Sequence, residues 1–192
     1  MEDMKSLQIE RVKMILNGRY FPSDFINGVV VPFIKRQKNQ MLIISDCDGI
    51  LTDARSVYSE SGKMFKTYGA YDTEMLDVLN ALDIKVEFYS SDKEGFRIHQ
   101  ARIQNHLKCS LVFGGAKERI QHIKDVKKTT NQKVLYIGDS LTDVTVGLEA
   151  DSFYTVSNAP SFVKKHSKYA SNLVGGYGAF ADIILYILKH ER

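Results

Sequence analysis

The chain has little cysteine, no long apolar run and little net charge, and each absence excludes a class of protein. Its 192 residues contain only Cys47 and Cys109, which are too few for a disulfide framework and fit a reducing compartment. No apolar stretch reaches the roughly 18–20 residues of a membrane helix. A net charge of +3 does not indicate a nucleic-acid-binding protein. The first residues lack the apolar core of a signal peptide, so we expect a cytoplasmic protein without nucleic-acid or membrane partners.

Strand-like and helix-like segments alternate from Met41 onward, in a composition of 44% hydrophobic and 26% charged residues that suits one soluble domain. The predicted strands are 41–45, 85–89, 110–113, 133–137 and 153–156. The predicted helices are 72–82, 94–106, 116–127, 143–150, 160–166 and 179–189. This alternation is typical of βαβ units, so the sequence predicts an α/β fold with a parallel sheet covered by helices.

Two further segments affect how a site could be closed. Residues 56–58 and 64–68 flank Glu60-Ser61-Gly62, which predicts a small β-hairpin. No insertion is long enough for a cap domain. The site would therefore be covered by this hairpin, by the C-terminal tail or by another subunit. We predict that residues 1–40 form an N-terminal appendage, packed on the core or on a partner, and that residues 41–192 form the main domain.

The most informative motif is Asp46-Cys47-Asp48-Gly49, which directly follows the apolar run 41–44. It therefore lies at the carboxyl end of a predicted strand, where open α/β sheets bind ligands. Carboxylates this close repel unless a cation neutralises them, and Mg²⁺ suits an all-oxygen phosphate site. Asp46 could attack phosphorus as a nucleophile, and Asp48 could serve as general acid and base. The alternative is an Asp-rich turn that merely caps the next element.

Three later motifs also follow predicted strands. Ser90, with Ser91, could hold phosphate oxygens, and Lys117 near a helix start could contact phosphate and the nucleophile together. Asp139 could complete a Mg²⁺ site, and Asp143 lies one helical turn later. Taken singly, each has an ordinary explanation as a helix cap or a surface residue. The five histidines lack metal-ligand spacing, so we expect them on the surface.

Together these motifs resemble the four motifs of the haloacid dehalogenase superfamily of phosphatases, over about residues 41–190. Within it, the chain resembles the small capless branch of 3-deoxy-D-manno-octulosonate 8-phosphate phosphatases. The resemblance implies a Rossmann-like core with helices on both faces of the sheet, a hairpin flap and a homotetramer. It also implies that Mg²⁺ is held by the carboxylates of Asp46 and Asp139 and by the backbone carbonyl of Asp48. Asp143 would support these ligands without binding the metal itself.

The flap and tail regions resemble the same branch, with departures. Lys66 and Asp72 match the flap region, so with Ser91 they are candidate substrate- or phosphate-binding residues, and Gly175-Gly176-Tyr177-Gly178-Ala179 matches the tail. The octulosonate enzymes carry Arg where this chain has Tyr71, Asp92 and Tyr177, and Gly where it has Thr73. An acid at position 92 is similar to nonulosonate 9-phosphate phosphatases and to the phosphatase-like domain of animal CMP-sialic acid synthetases.

These observations predict a Mg²⁺-dependent phosphatase acting on a small sugar-acid phosphomonoester, of the octulosonate 8-phosphate or nonulosonate 9-phosphate type. One alternative is a weakly active or non-catalytic phosphatase-like module with a role in assembly. The missing arginines and the unusual residues 1–40 favour it, whereas the intact acids argue against it. A second is a receiver-type phospho-acceptor, although such a protein does not need an acid two residues after the acceptor.

Overall fold

The structure is a computed structural model that describes residues 2–191. Within this range the strands are Met41–Asp46 (β1), Val57–Ser59 (β2), Gly62–Phe65 (β3), Lys85–Ser90 (β4), Ser110–Phe113 (β5), Lys133–Ile137 (β6), Ser152–Thr155 (β7) and Tyr169–Ala170 (β8). Six of these described strands form a parallel sheet with the order β5-β4-β1-β6-β7-β8, and β2 pairs with β3 as an antiparallel hairpin.

Helices connect these strands and precede the first of them. They are Glu2–Gly18 (α1), Ser23–Phe25 (α2), Val31–Arg36 (α3), Asp72–Ala81 (α4), Phe96–His99 (α5), Ala116–Thr129 (α6), Leu141–Gly147 (α7), Ser161–His166 (α8) and Ala179–His190 (α9). π-helical segments follow α2 at Ile26–Val30 and α5 at Gln100–His106. None of the described helices is long and apolar enough to cross a membrane.

The sheet order places the functional residues at the carboxyl ends of the two central strands, β1 and β6. From β1 the chain first builds β4 and β5 on one side and then returns to add β6, β7 and β8 on the other side. The carboxyl ends of β1 and β6 therefore meet at a topological switch point, where doubly wound sheets bind ligands. All of β1 from Met41 to Ser45 is buried, as expected for a strand covered on both faces.

The helices form two packed groups. On one side α4 packs against α9, and on the other α6 and α8 both pack against α7. The N-terminal helices join the first group, because α1 contacts α4 and α3 contacts α9. Their buried apolar residues are part of the same hydrophobic core, and include Val12, Leu16, Phe33 and Ile34. The division of the chain at residue 40 stays a prediction.

The predicted α/β fold, with a parallel sheet and a small hairpin, is confirmed, and residues 2–191 contain no large cap domain. The predicted helix 94–106 is instead a short α-helix that continues as a π-helix from Gln100. Helix α7 begins at Leu141 rather than Asp143, because Ser140 caps it and Asp143 completes a capping box. The two-residue strand β8 was not predicted, since such a short segment carries no period.

Candidate active site

Three aspartates converge at the carboxyl ends of β1 and β6. One carboxylate oxygen from each of Asp46, Asp139 and Asp143 lies within 4.8 Å of the other two. Asp46 is the last residue of β1, Asp139 follows β6 and Asp143 lies in the first turn of α7. Gly49 lets the first turn approach this cluster, because its φ is +83° and a Cβ there would overlap the Asp139 carboxylate.

Asp143 is buried, and both of its carboxylate oxygens are fully engaged. Its Oδ1 accepts hydrogen bonds from Tyr136 and from Arg119 Nη1, the latter at 3.0 Å. Its Oδ2 accepts from the backbone N–H groups of Asp139 and Ser140, at 3.1 and 2.9 Å, and from the Ser140 hydroxyl at 2.6 Å. Asp143 therefore braces the loop after β6, and Asp46 and Asp139 remain as the carboxylates that could hold a metal.

The charges of these two aspartates are poorly compensated. Burial raises the pKa of Asp46 well above its usual value, although Arg119 opposes this effect. Burial and the nearby Asp143 raise the pKa of Asp139 to about 7. Within residues 2–191, no side chain donates a hydrogen bond to the Asp139 carboxylate. A divalent cation would relieve this repulsion, and an all-oxygen donor set suits Mg²⁺.

Arg119, rather than Lys117, contacts the candidate nucleophile. Its Nη2 donates to Asp46 Oδ1 at 2.8 Å, and its side chain is only 6% exposed. The Lys117 side chain is exposed on α6 and forms no hydrogen bond or ion pair within the described residues. The structure therefore corrects our placement of Lys117. The helical period explains the difference, because Arg119 shares the buried stripe of α6 with Ile123, four residues later.

The carboxylate of Asp48 faces a second cluster. Lys66 Nζ lies 2.6 Å from Asp48 Oδ1 and 2.6 Å from Asp92 Oδ2. His99 Nε2 lies 3.0 Å from Asp48 Oδ2. Burial raises the pKa of Asp48, but hydrogen bonds from His99 and Lys66 outweigh it and lower the pKa below its usual value. Asp48 is therefore ionised near neutral pH. Lys66, which the flap region made a candidate for binding substrate or phosphate, lies beside it.

Asp92 ties the flap to the loop after β4. Besides Lys66, it forms an ion pair with Lys63 of the hairpin, and its Oδ1 accepts from the backbone N–H of Gly95 at 3.0 Å. Its own backbone N–H donates to the Ser90 hydroxyl at 3.2 Å. Its pKa is lowered, because the hydrogen bonds from Lys63 and Lys66 outweigh the effect of burial. The octulosonate enzymes carry Arg at this position, whereas in this chain the Asp92 carboxylate contacts Lys63 and Lys66 of the flap.

Our expectation that all five histidines lie on the surface is wrong for His99. This residue is fully buried, and its Nδ1 lies 2.7 Å from the Tyr68 hydroxyl. His122 is partly buried beside Glu87, and the other three histidines are exposed. The spacing did contain the information, because His99 precedes the buried Ile103 by four residues and so shares its helical face.

The remaining candidate residues have different placements. Ser90 is buried at the end of β4, directly after the residue whose Cα pairs with Asp46 across the sheet. Ser91 is exposed, and no contact ties its side chain to either cluster within the described part of the chain. Asp72 is buried at the start of α4, where its Oδ1 accepts from the backbone N–H of Ala181 at 3.3 Å. Of these three, Ser90 is placed beside Asp46.

The glycine-rich tail packs on the turn that carries the first motif. The N–H of Gly176 donates to the carbonyl of Ile50 at 2.9 Å. Gly176 has φ +75°, and a Cβ on Gly175 would overlap the Gly49 carbonyl. The two glycines therefore allow a backbone-to-backbone contact that a larger residue would prevent. This contact places the tail at the first motif within a single chain.

Comparison with known proteins agrees with this architecture. No family model matches the chain. The 3-deoxy-D-manno-octulosonate 8-phosphate phosphatase KdsC of Haemophilus influenzae is 28% identical over 160 residues, covering 82% of this chain and 87% of that enzyme. The cobalt-bound structure of the deoxy-D-mannose-octulosonate 8-phosphate phosphatase from H. influenzae has a TM-score of 0.67 and 27% identity, over 78% of this chain and 88% of that one. These similarities support a phosphatase of the haloacid dehalogenase type.

Two further proteins are similar to this chain. N-acylneuraminate cytidylyltransferase B of Danio rerio is 26% identical over 165 residues, which are 83% of this chain but 39% of that protein. The octulosonate phosphatase of Moraxella catarrhalis, solved with a magnesium ion, a phosphate ion and a KDO molecule, has a TM-score of 0.67 at 22% identity, over 78% of this chain and 87% of that one. At that identity the likeness shows the fold alone. Together with the H. influenzae enzyme, the named relatives support a phosphatase of the KdsC-like branch.

Proposed function

We propose that this phosphatase hydrolyses a sugar-acid phosphomonoester through an aspartyl-phosphate formed on Asp46. The observation that carries the proposal is the pairing of Asp46 with Arg119 at the end of β1, beside an acidic cluster that suits a divalent cation. Arg119 occupies Oδ1 of Asp46, which leaves Oδ2 to attack phosphorus. The cation role that we first predicted for Lys117 is assigned here to Arg119.

The two carboxylates of the first motif have different roles in the proposed reaction. Asp46 attacks, and the bond between phosphorus and the sugar oxygen breaks. Asp48 gives a proton to the leaving oxygen and later takes one from the water that releases phosphate from Asp46. Asp48 is held ionised before substrate binds, so the proton that it gives to the leaving oxygen first comes from a substrate phosphate bound as its monoanion. The negative charge left on the phosphate favours protonation of Asp48. Ser90 and Arg119 hold the transferred phosphoryl group.

The proposed cofactor is Mg²⁺. Asp46 and Asp139 would hold it through their carboxylates and Asp48 through its backbone carbonyl, while Asp143 braces the loop. The cation would neutralise negative charge on the phosphoryl oxygens during transfer. The magnesium and cobalt in the related structures support this choice, as does the uncompensated charge of Asp139.

The substrate class is inferred from the named relatives and from the three positions where this chain lacks the arginines of the octulosonate enzymes. The relatives act on an octulosonate 8-phosphate or are named for an N-acylneuraminate, an eight-carbon and a nine-carbon sugar acid. Tyr71 and Tyr177 are exposed, at 65% and 64%, and Asp92 is engaged by the flap lysines. An arginine guanidinium binds a carboxylate bidentately. The absence of these arginines should therefore weaken the binding of octulosonate 8-phosphate, compared with the typical enzymes of the branch.

We further propose that the protein acts in the cytoplasm as a homotetramer whose subunits help to cover the site. The hairpin supports this assembly, because Val57, Tyr58, Met64 and Phe65 are each about half exposed. A weakly active or structural module is the second candidate, favoured only by the three missing arginines. A panel of sugar-acid phosphates assayed with Mg²⁺ separates the two. Turnover of any panel member supports the phosphatase, and no turnover across the panel favours the structural module.

A further inference from the structure

The side chain of His99 is built into the site in a way that a packing residue does not require. It is fully buried, yet both ring nitrogens have polar partners: Nε2 meets Asp48 Oδ2 at 3.0 Å and Nδ1 meets the Tyr68 hydroxyl at 2.7 Å. His99 lies where α5 changes into the π-helical segment Gln100–His106. Such segments recur at functional sites, because they turn a side chain out of the regular helical register.

The hydrogen-bond directions follow from the partners. Lys66 Nζ lies 2.6 Å from Asp48 Oδ1, so Asp48 is a carboxylate that can only accept. His99 Nε2 must then carry the proton and donate to Oδ2. The 3.2 Å contact between Nε2 and Lys66 Nζ therefore joins two donors and is not a hydrogen bond. The Tyr68 hydroxyl donates to Nδ1, which fixes this tautomer, much as second partners orient ligating histidines.

Each oxygen of the Asp48 carboxylate is therefore held by donors of its own. Thr52 and Lys66 reach Oδ1, at 3.2 and 2.6 Å, and His99 alone among the described residues reaches Oδ2. Lys66 is in turn braced by Asp92, and His99 by Tyr68. Rotation of the Asp48 carboxylate about its side chain would break contacts on both sides at once.

We propose that His99 is a positioning residue for proton transfer by Asp48, with Tyr68 setting its tautomer. This proposal rests on the proposed function, because it assigns Asp48 the acid–base role. By holding Oδ2, His99 keeps the carboxylate aimed at the leaving oxygen and at the attacking water. Losing this aim should slow proton transfer without weakening substrate binding, since misplacement of a catalytic group costs rate rather than affinity.

Two amide variants separate positioning from packing. In His99→Gln the side-chain amide can replace Nε2 as the donor to Asp48, whereas in His99→Asn the shorter amide replaces Nδ1 and cannot reach Asp48. We expect kcat for a sugar phosphate to fall about 10- to 100-fold in His99→Asn and only a few-fold in His99→Gln, with KM little changed in both. The kcat of Tyr68→Phe should lie between those of the two His99 variants, because this change removes only the hydrogen bond that fixes the tautomer of His99.

The leaving group supplies a readout that a structural role would not change. p-Nitrophenolate leaves with little help from an acid, so a single-turnover assay with p-nitrophenyl phosphate should show near wild-type phosphoryl transfer in His99→Asn. The same variant should be slow with an alkyl phosphate. Equal losses on both substrates, or equal losses in the Asn and Gln variants that follow their melting temperatures, would overturn the positioning role. If the wild type hydrolyses no phosphomonoester at all, the proposed function fails, and this proposal with it.

Discussion

Arg119 and Asp46 are joined by a 2.8 Å hydrogen bond between Nη2 and Oδ1, across the interface between α6 and the end of β1. The same guanidinium reaches Asp143 through Nη1 at 3.0 Å. One buried cation thus links the candidate nucleophile to the first turn of α7. Its planar fork can bridge two carboxylates, which a lysine ammonium at the same place would do with less directional control.

The first prediction tests which cation on α6 serves the site. Arg119→Ala should lower kcat by about 10²–10³-fold, because a buried charge that stabilises the transition state is lost. Lys117→Ala is the matched control on the same helix and should stay within about twofold of wild type, since an exposed side chain outside the site contributes little to it. Steady-state kinetics on one sugar phosphate measures both. The reverse order of effects would restore Lys117 to the role we first gave it.

Arg119→Lys refines this comparison. It keeps the charge near Asp46 but loses the simultaneous contact with Asp143, so we expect intermediate activity. Melting temperatures of all three variants are needed, because removing Arg119 leaves two buried carboxylates without their partner. Loss of activity in a variant that melts like the wild type identifies a catalytic rather than a folding effect.

The second prediction concerns the metal. Mg²⁺ should raise the melting temperature of the wild type, since a ligand at 100 times its Kd stabilises the folded state by about 2.7 kcal/mol. Asp139→Asn should abolish that increase, and its metal-free form should be at least as stable as the wild type, because a repelling buried charge is removed. Asp24→Asn, at an exposed acid, is the control and should keep the full Mg²⁺ effect. A Mg²⁺ effect that survives in Asp139→Asn would refute the assigned site.

The third prediction concerns Asp72. Burial raises its pKa to about 6, against the effects of the Ala181 N–H and Arg102. Between the unfolded pKa of about 4 and the folded value, the folded state binds more protons than the unfolded state. This residue therefore makes the free energy of unfolding fall as pH rises from about 4 to about 6, by up to about 3 kcal/mol.

Asp72→Asn removes this dependence while keeping a carbonyl oxygen for Ala181. Denaturant unfolding at stepped pH, in metal-free buffer, should show the variant gaining stability relative to the wild type between pH 4 and pH 6. A difference between the two proteins that stays constant over this range would show that Asp72 does not titrate as its burial indicates.

The elements could be predicted because their causes are local. The apolar runs 41–44 and 134–137 predicted buried strands, and the aspartates after them predicted a site at the carboxyl ends of these strands. The π-helical turn after His99 could not be predicted, because it depends on how that helix packs rather than on its own period. The sequence analysis selected Lys117 and did not consider Arg119, although the helical period places Arg119 on the same face of α6 as Ile123.

Long-range pairs were the other part that the sequence did not reveal. Asp92 was interpreted as a change in substrate choice, whereas the structure pairs it with Lys63 and Lys66 of the flap. These partners lie 29 and 26 residues away in sequence, so only the folded positions of the hairpin and of β4 bring them together. Local motifs could indicate the acids of the site, but not which of them share a cation.

The fourth prediction concerns assembly. Val57→Glu and Phe65→Glu on the hairpin should dissociate the proposed homotetramer and reduce turnover together, because each places a charge in an apolar interface. Phe162→Glu, at a similarly exposed residue on α8, is the control and should leave the assembly intact. Light scattering gives the mass of each variant. A wild-type monomer with full activity would contradict the assembly.

Turnover of Asp46→Asn is the most direct test of covalent phosphoryl transfer by this protein. The variant keeps the size of the side chain but removes the nucleophilic oxygen charge, so the fold should persist, as checked by circular dichroism. With Mg²⁺ and a sugar-acid phosphate that the wild type hydrolyses, phosphate release should fall to the uncatalysed background. Release at a rate near that of the wild type would contradict an aspartyl-phosphate on Asp46.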